Sequence, residues 1–168
     1  PKRCMTRCAS SWTCNMSDAL RRQLAAATID ALETAAFLFA MPAEEPADAE
    51  PAAFVTASVA FAGPRRGGLR IRAPRSLLAA LAGNMLGADA PDEPMQLDAF
   101  GELANIICGN VLPRIDDSGP FRLAPPCVLP AGASSDDGSP APVEAELSVD
   151  DQPLFVSLWL DGTLDGPS

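Results

Sequence analysis

The chain has 168 residues, the size of a single domain, and 48% of them are hydrophobic, as expected of a globular protein. Its 22 Asp and Glu residues outnumber its 12 Lys and Arg residues and leave a net charge of −10, which disfavours binding to nucleic acid or to an anionic membrane. Histidine is absent, so any chemistry must rely on carboxylates, amides, hydroxyls, thiols or a partner's groups, not on a histidine base or metal ligand.

Hydropathy and the number of cysteines indicate the cellular compartment of the chain. No run of about 20 apolar residues predicts a transmembrane helix. The charged N-terminus is not followed at once by the apolar run of a signal peptide. The five cysteines are an odd number, which without a secretion signal favours reduced thiols. We therefore expect the chain to be cytoplasmic.

The first fifteen residues differ in composition from the rest. They contain three of the five cysteines and no acidic residue. The spacing of Cys4, Cys8 and Cys14 includes no CxxC pair and no fourth ligand, so it does not predict a metal site. Met16 instead opens a helical pattern. We expect residues 1–15 to be a disordered N-terminal tail and residues 16–168 to form a single domain.

The first half of that domain reads as a helix, a loop, a hairpin and a short helix. Leucine and alanine recur at near-helical spacing over residues 19–40. The prolines and acids of residues 41–53 predict a loop with room for a short edge strand at its start. Apolar residues alternate over 54–62 and 69–73 on either side of a glycine-rich turn, as in a β-hairpin. A short helix follows over residues 76–86.

The second half repeats this order. A long helix is expected over residues 92–112, where Pro113 would end it. A strand over residues 121–129 is interrupted by two prolines, and a loop rich in Gly, Ser, Asp and Pro follows it. Residues 143–149 and 153–160 then alternate as a second hairpin.

This repeated order predicts the fold class. The strands are amphipathic, with one polar and one apolar face, which is typical of antiparallel sheets covered by helices on one side. We therefore expect an α+β fold of two pseudo-repeated halves, each a helix followed by strands. The sheet should be mostly antiparallel, with the long helices packed on one face.

The helix over residues 97–112 has a clear polar stripe. Its core stripe consists of Phe100, Leu103, Ala104, Ile107 and Val111. Asp98, Glu102 and Asn105 follow one another at helical spacing on the opposite side, and Gly109 lies on the same face. A glycine within a helix costs roughly 1 kcal/mol relative to alanine, so we expect Gly109 to let a partner approach closely. Polar residues on an outer helix face are ordinary, and the periodicity by itself names no reaction.

The same residues carry a family resemblance. The string DAFGELANIICGN, which starts at Asp98, resembles the signature helix of the CheC/CheX/FliY chemotaxis phosphatases. Their motif is an Asp or Ser, three residues, a Glu, two residues, an Asn and a distant proline. Asp98, Glu102 and Asn105 match it position by position, and Pro126 resembles the distant proline. The resemblance spans roughly residues 17–161.

Within the family, the resemblance is nearest to CheX. CheC-type members carry the Glu-x-x-Asn element in both halves. Here the first helix has Glu33 followed at the second position of the pair by Ala36, which has no amide. A single active helix is the CheX-like condition, and the resemblance also implies a homodimer.

The resemblance implies a reaction and a set of roles. The family hydrolyses the phospho-aspartate of CheY-like response regulators. Asn105 would be inserted into the regulator's site to orient the attacking water, and Glu102 would pair with the regulator's lysine. Asp98 would be a contact at the rim, and Pro126 would shape the adjoining strand and pack against the helix. The phosphatase needs no metal or cofactor of its own, since the regulator supplies Mg²⁺.

A second class of function stays open at this point. The chain could be a non-catalytic CheX-like module that binds a receiver domain in two-component signalling without turnover. Phosphate release from a phosphorylated receiver distinguishes the two hypotheses.

Overall fold

A computed structural model describes residues 9–43, 54–131 and 142–161. The helices are α1 (Ala9–Ala31), α2 (Arg75–Leu86) and α3 (Glu93–Ile115). A π-helical turn, Leu32–Ala36, continues α1. The strands are β1 (Ala40–Pro42), β2 (Phe54–Ala62), β3 (Gly67–Pro74), β4 (Arg122–Leu123), β5 (Cys127–Leu129), β6 (Val143–Val149) and β7 (Gln152–Leu160). No helix within these ranges combines the length and apolarity needed to cross a membrane.

The seven described strands form one sheet in the order β1-β6-β7-β3-β2-β4, and β5 pairs with a neighbouring stretch of β2. Every described strand pair is antiparallel. Helices α1 and α3 pack on the sheet and against each other, and α2 packs on α3. The predicted α+β class, with a mostly antiparallel sheet and helices on one face, is confirmed.

The two halves of the chain exchange their short strands. Strand β1, which follows α1, pairs with β6 of the second hairpin. Strands β4 and β5, which follow α3, pair with β2 of the first hairpin. The two hairpins meet where β3 pairs with β7 in the middle of the sheet. Each half therefore completes the sheet of the other half, with approximate two-fold symmetry.

Alternation along the strands builds the core. Val55, Ala57 and Val59 of β2 are buried, and so are Leu69 and Ile71 of β3. They share one core cluster with the apolar residues of the helices. Since neighbouring side chains of a strand point to opposite faces, one face of the hairpin is directed at α3. The sheet thereby fixes the helix that carries the polar stripe.

Some predicted segments lie beyond the described residues. Residues 1–8 of the expected tail do so, whereas residues 9–15 belong to α1, so the boundary at Met16 falls inside a helix. Residues 44–53 and 132–141, both predicted to be loops, also lie outside the described ranges.

The first helix ends earlier than the periodicity predicts. The helical pattern extends to residue 40, but regular helix ends at Ala31 and the π-helical turn at Ala36. Phe37 then adopts a left-handed conformation, with φ of 51°, and its N–H donates to the carbonyl of Leu32. This left-handed residue stops the helix and turns the chain into β1, although its apolar side chain fits the helical pattern.

The prediction that Pro113 ends the second long helix is wrong, because α3 continues to Ile115. A proline within a helix removes one hydrogen bond, here the bond from residue 113 to the carbonyl of Gly109. Because Pro113 lies only two residues before the end of α3, few further backbone hydrogen bonds of the helix are affected. The N–H of Asp116 still reaches the carbonyl of Leu112, at 3.0 Å.

The predicted strand over residues 121–129 is divided, as its two prolines suggest, into β4 and β5. Within β5, Val128 is directed towards α3, and Cys127 on the opposite face is exposed. Cys127 is therefore not part of the core, although it lies in an apolar strand, because its register places it on the outer face of the sheet.

Candidate functional site

Helix α3 begins with strong local signals. Asp92 caps it, and its carboxylate accepts a hydrogen bond from the N–H of Met95 at 2.9 Å. Pro94 occupies the first turn, where no intrahelical donor is needed, and Glu93 places negative charge at the positive end of the helix. These features start the helix, so the residues one to four turns further on have a defined orientation.

The two stripes of α3 lie where the sequence predicts them. Phe100, Leu103 and Ile107 are fully buried against the sheet. On the opposite side Asp98, Glu102 and Gly109 are exposed, and Asn105 is half-buried. An exposed polar stripe on a helix that is fixed along its whole buried side can be presented to a partner with little loss of conformational entropy.

Glu102 and Asn105 are in direct contact. The Nδ2 of Asn105 donates a hydrogen bond to Oε2 of Glu102 at 3.3 Å. The other amide atom, Oδ1 of Asn105, is buried and has no hydrogen-bond partner within the described ranges. Buried polar atoms in proteins nearly always have a partner. The amide of Asn105 is therefore held by a neighbouring carboxylate, and its acceptor is unused although it is shielded from solvent.

Strand β5 supports this part of α3 from the buried side. A Cβ added to Gly101 would lie 3.2 Å from Cγ of Pro126 and 3.2 Å from Cγ2 of Val128. Pro126 thus packs directly on the helix one residue before Glu102. The sequence singled out Pro126 but gave Gly101 no role. A small residue within an otherwise apolar stripe was the available signal for this close approach.

Gly109 has the opposite environment. A Cβ added there would meet nothing within 4 Å, and the residue is exposed. Neither packing nor a positive φ requires a glycine at this position. The structure thus places Gly109 on the stripe of Glu102 and Asn105 and leaves open space above it.

The loop after α3 is held by an aspartate. Asp116 accepts a hydrogen bond from the N–H of Ser118 at 3.0 Å, and its other oxygen lies 3.3 Å from Nε of Arg65 in the β2–β3 turn. The side-chain and backbone hydrogen bonds of Ser118, with a smaller contribution from Arg65, hold the pKa of Asp116 below its usual value. Sequence reasoning missed this loop as a structured element beside the site.

The thiol of α3 is not available for chemistry. Cys108 is fully buried, and this burial raises its pKa to about 12. At neutral pH it is protonated and packs as a small apolar residue. In the part of the chain that the structure describes, no three Cys, Asp or Glu side chains are grouped so that they could hold a metal ion.

The first half of the chain does not present a second pair of this kind. Glu33 is exposed, but Ala36 is fully buried in the π-helical turn. Residue 36, which has no amide in this sequence, therefore faces the core.

The chain is similar to known proteins in part of its sequence and in its fold. Residues 55–135 match the family model described as chemotaxis phosphatase CheX. The chain is similar to the chemotaxis protein CheX from Desulfovibrio desulfuricans, at 24% identity and a TM-score of 0.69, over 85% of this chain and 99% of that chain. CheX from Vibrio vulnificus is 21% identical with a TM-score of 0.69, over 84% of this chain and 96% of that chain.

A third similar structure is a chain of the CheX–CheY–BeF₃–Mg²⁺ complex from Borrelia burgdorferi. It is 16% identical with a TM-score of 0.65, over 84% of this chain and 97% of that chain. No curated protein matches the chain in sequence. The solved structures share the fold over most of the length of this chain, and the match of residues 55–135 to the CheX family model supports the resemblance to the CheC/CheX/FliY family.

Proposed function

We propose that the chain is an aspartyl-phosphate protein phosphatase of CheX type, which dephosphorylates a CheY-like response regulator. The observation that carries this proposal is the Glu102–Asn105 contact on the exposed stripe of α3, with the carbonyl oxygen of Asn105 unpaired. The similar structure from Borrelia burgdorferi is a complex of CheX with CheY, BeF₃ and Mg²⁺, which supports a CheY-like partner here.

Hydrolysis of a phospho-aspartate suits a site without histidine. Water attacks the phosphorus, the bond from phosphorus to the aspartyl oxygen breaks, and inorganic phosphate and the free carboxylate are released. The transition state of phosphoryl transfer is loose, so catalysis depends mainly on positioning and on charge stabilisation. The receiver supplies its Mg²⁺, its lysine and the phosphoryl group, and the phosphatase requires no cofactor of its own.

Asn105 is the catalytic residue of this proposal. Its amide can donate and accept hydrogen bonds at once, so it can hold a water molecule in line with the bond that breaks. It also adds no negative charge next to the phosphoryl group. The hydrogen bond from Nδ2 to Glu102 leaves Oδ1 without a partner, and a rotation of the side chain on docking would bring this buried acceptor to the water.

Glu102 and Asp98 act in docking. The exposed carboxylate of Glu102 pairs with the lysine of the receiver, and Asp98, one turn earlier, contacts the rim of the interface. Gly109 allows the receiver to approach the helix, since a Cβ there would meet no atom within 4 Å beyond the adjoining residues and backbone of its own helix. Pro126 holds β5 against the helix at Gly101 and is a positioning residue.

We also propose that the protein acts in the cytoplasm as a homodimer. Phe37, Phe39 and Met41 are exposed at 76%, 65% and 49%, in and just before the edge strand β1. A row of large apolar side chains in water is typical of a protein interface. Sedimentation analysis of Phe39→Asp tests this: the substitution should shift the protein to the monomer, and an unchanged sedimentation coefficient would remove this surface from the proposal.

The catalytic proposal is tested by phosphate release from a phosphorylated receiver over a range of receiver concentrations. Asn105→Ala should lower kcat and kcat/KM together, by roughly 100-fold, because the amide acts on the water only in the transition state. Asn105→Asp should be nearly as inactive, since it places an anion beside the phosphoryl group. Asn84→Ala, at an exposed position of α2, is the matched control and should be fully active.

Glu102→Ala should raise KM instead, and Glu102→Lys should raise it further by repelling the receiver's lysine. Glu33→Ala removes an exposed helical glutamate from the first half and is the control for this change. Full turnover by Asn105→Ala, or turnover by Asn105→Asp above that of the unaltered protein, would contradict the water-orienting role. Binding without turnover in the unaltered protein would favour the non-catalytic receiver-binding module.

A further inference from the structure

A groove of about 320 Å³ lies beside the exposed stripe of α3, between the last turns of the helix and the loop that follows it. Leu112, Phe121 and Leu123 form its apolar wall. Phe121 stands edge-on to Phe61 of β2, with ring centroids 5.9 Å apart, so this wall is anchored to the sheet. The loop is also pinned through Asp116, and the groove is therefore built into the fold.

The end of the groove nearest to Asn105 carries an unused backbone acceptor. In a regular helix the carbonyl of Gly109 would accept a hydrogen bond from the N–H of residue 113. Residue 113 is proline and has no N–H, yet the helix continues through it to Ile115. Gly109 and Pro113 both line the groove, and both are exposed. The Gly109 carbonyl therefore lacks its regular helical donor, at a residue that lines the groove.

The other end of the groove carries an unpaired charge. Asp116 is engaged by Ser118 and Arg65, whereas its exposed neighbour Asp117 has no such partner in the described ranges. The cation in the last turn of α3, Arg114, is already paired with Asp30 of α1. The C-terminal end of a helix also carries partial negative charge. Acceptors and negative charge therefore surround an apolar slot.

We propose that this groove holds an arginine or lysine side chain of the receiver, as a second anchor next to the catalytic pair. The aliphatic stem of such a side chain packs on Leu112 and Leu123, as long cationic side chains commonly do on apolar surfaces. Its cationic head donates to the Gly109 carbonyl and to the carboxylate of Asp117. That the partner is a receiver rests on the proposed function. That a basic side chain fills the groove is inferred from the residues that line the groove.

Distances along the helix place this anchor relative to the phosphoryl group. Gly109 and Pro113 follow Asn105 by about 6 Å and 12 Å along α3, at 1.5 Å per residue. The basic side chain thus belongs to a receiver surface about 6–12 Å from the phosphorylated aspartate. A second copy of this chain is a poorer occupant, because its net charge of −10 would be repelled by the acidic rim.

Asp117→Asn tests the charge. Binding is measured by calorimetry with a CheY-like receiver carrying beryllofluoride and Mg²⁺, and turnover by phosphate release from the phosphorylated receiver. We expect the Kd and KM to rise about threefold to tenfold with kcat unchanged, and the difference to shrink at high salt, because exposed charges are screened. Asp151→Asn, in the β6–β7 turn, makes the same charge change away from α3 and should have no effect.

Pro113→Ala tests the carbonyl. The new N–H at residue 113 can donate to Gly109, so the helix gains a hydrogen bond and the partner loses an acceptor. We expect the Tm to rise while the KM rises about threefold, with kcat unchanged. A residue with a purely structural role would not raise stability and weaken receiver binding together.

The results separate this inference from the proposed function. If the unaltered protein turns over and neither variant changes KM, the groove is not an anchor and the phosphatase proposal stands. If nothing turns over, yet Asp117→Asn weakens binding of the beryllofluoride-loaded receiver, the anchor stands and the catalytic proposal falls. If the two substitutions change self-association instead of receiver binding, the groove holds a second copy and the inference is overturned.

Discussion

The two halves of the molecule have the same order of helix and strands, but the helix geometry differs at the Glu-x-x-Asn element and at its counterpart in the first half. Both halves place a long helix before an exchanged short strand and a hairpin. In the second half a regular α-helix exposes Glu102 and leaves Asn105 half-buried beside it. In the first half the corresponding Glu33 is exposed, but Ala36 is fully buried.

The π-helical turn explains this difference. Over Leu32–Ala36 each turn contains an extra residue, because the hydrogen bonds reach five residues back. Side chains after that turn are therefore out of phase with the stripe of a regular helix. Equal spacing in the sequence does not put two residues on one face unless the helix between them is regular. Only the second half has both the amide and the geometry to present it.

The largest effect we expect comes from moving the amide between the halves. The double variant Asn105→Ala with Ala36→Asn retains one Glu-x-x-Asn element but places it in the first half. Phosphate release should remain roughly 100-fold below that of the unaltered protein, because the amide at residue 36 faces the core. Recovery of turnover would show that the two halves are interchangeable and that exposure does not decide activity.

Much of this fold could be predicted from alternation and helical periodicity. Strand residues such as Val55 and Leu69 and helix residues such as Phe100 are buried as expected, because the apolar side chains of each element lie on the face that packs in the core. The exposed stripe of α3 followed from the same rule. Local signals were enough wherever the backbone was regular.

The remaining features depend on contacts between distant residues. The π-helical turn, the left-handed Phe37 and the continuation of α3 through Pro113 all depart from local rules. The pinning of the loop at Asp116 by Arg65 joins residues from two halves of the chain. No spacing in the sequence indicates such a pair, and the groove beside α3 was therefore not predicted.

A smaller effect concerns stability in the first half. Ala36→Asn by itself buries an unpaired amide in a fully packed position, and we expect it to lower the free energy of unfolding by about 1–3 kcal/mol. Ala26→Asn, at an exposed position of α1, is the control and should lower it only by a helix-propensity difference of about 0.5 kcal/mol. Urea unfolding measures both, and equal losses would mean that the residue 36 side chain is not directed into the core.

Phe37 offers a change in the opposite direction. Its backbone is left-handed, a conformation that is costly for a bulky residue and accessible to glycine, and its side chain is 76% exposed. Phe37→Gly should raise the free energy of unfolding by about 1 kcal/mol. Phe39→Gly, exposed but not left-handed, should give no such gain. Unfolding at two protein concentrations separates this effect from any change in self-association.

The smallest effect concerns the loop that only the second half has after its long helix. The hydrogen bonds of Ser118 and the contact with Arg65 lower the pKa of Asp116 below its ordinary value of 3.8 in the folded state. A carboxyl with a lowered pKa stabilises the fold above its unfolded-state pKa, and this contribution is lost as the pH falls through the folded-state value. Asp116→Asn should therefore lower the Tm slightly at pH 7, and the difference from the unaltered protein should close below about pH 4.

Asp117→Asn removes the adjacent, unpaired carboxylate and should leave the Tm unchanged at both pH values, although it weakens receiver binding. A difference for Asp116→Asn that persists into acid would mean that the carboxylate does not pin the loop, and the groove would then lack its fixed wall.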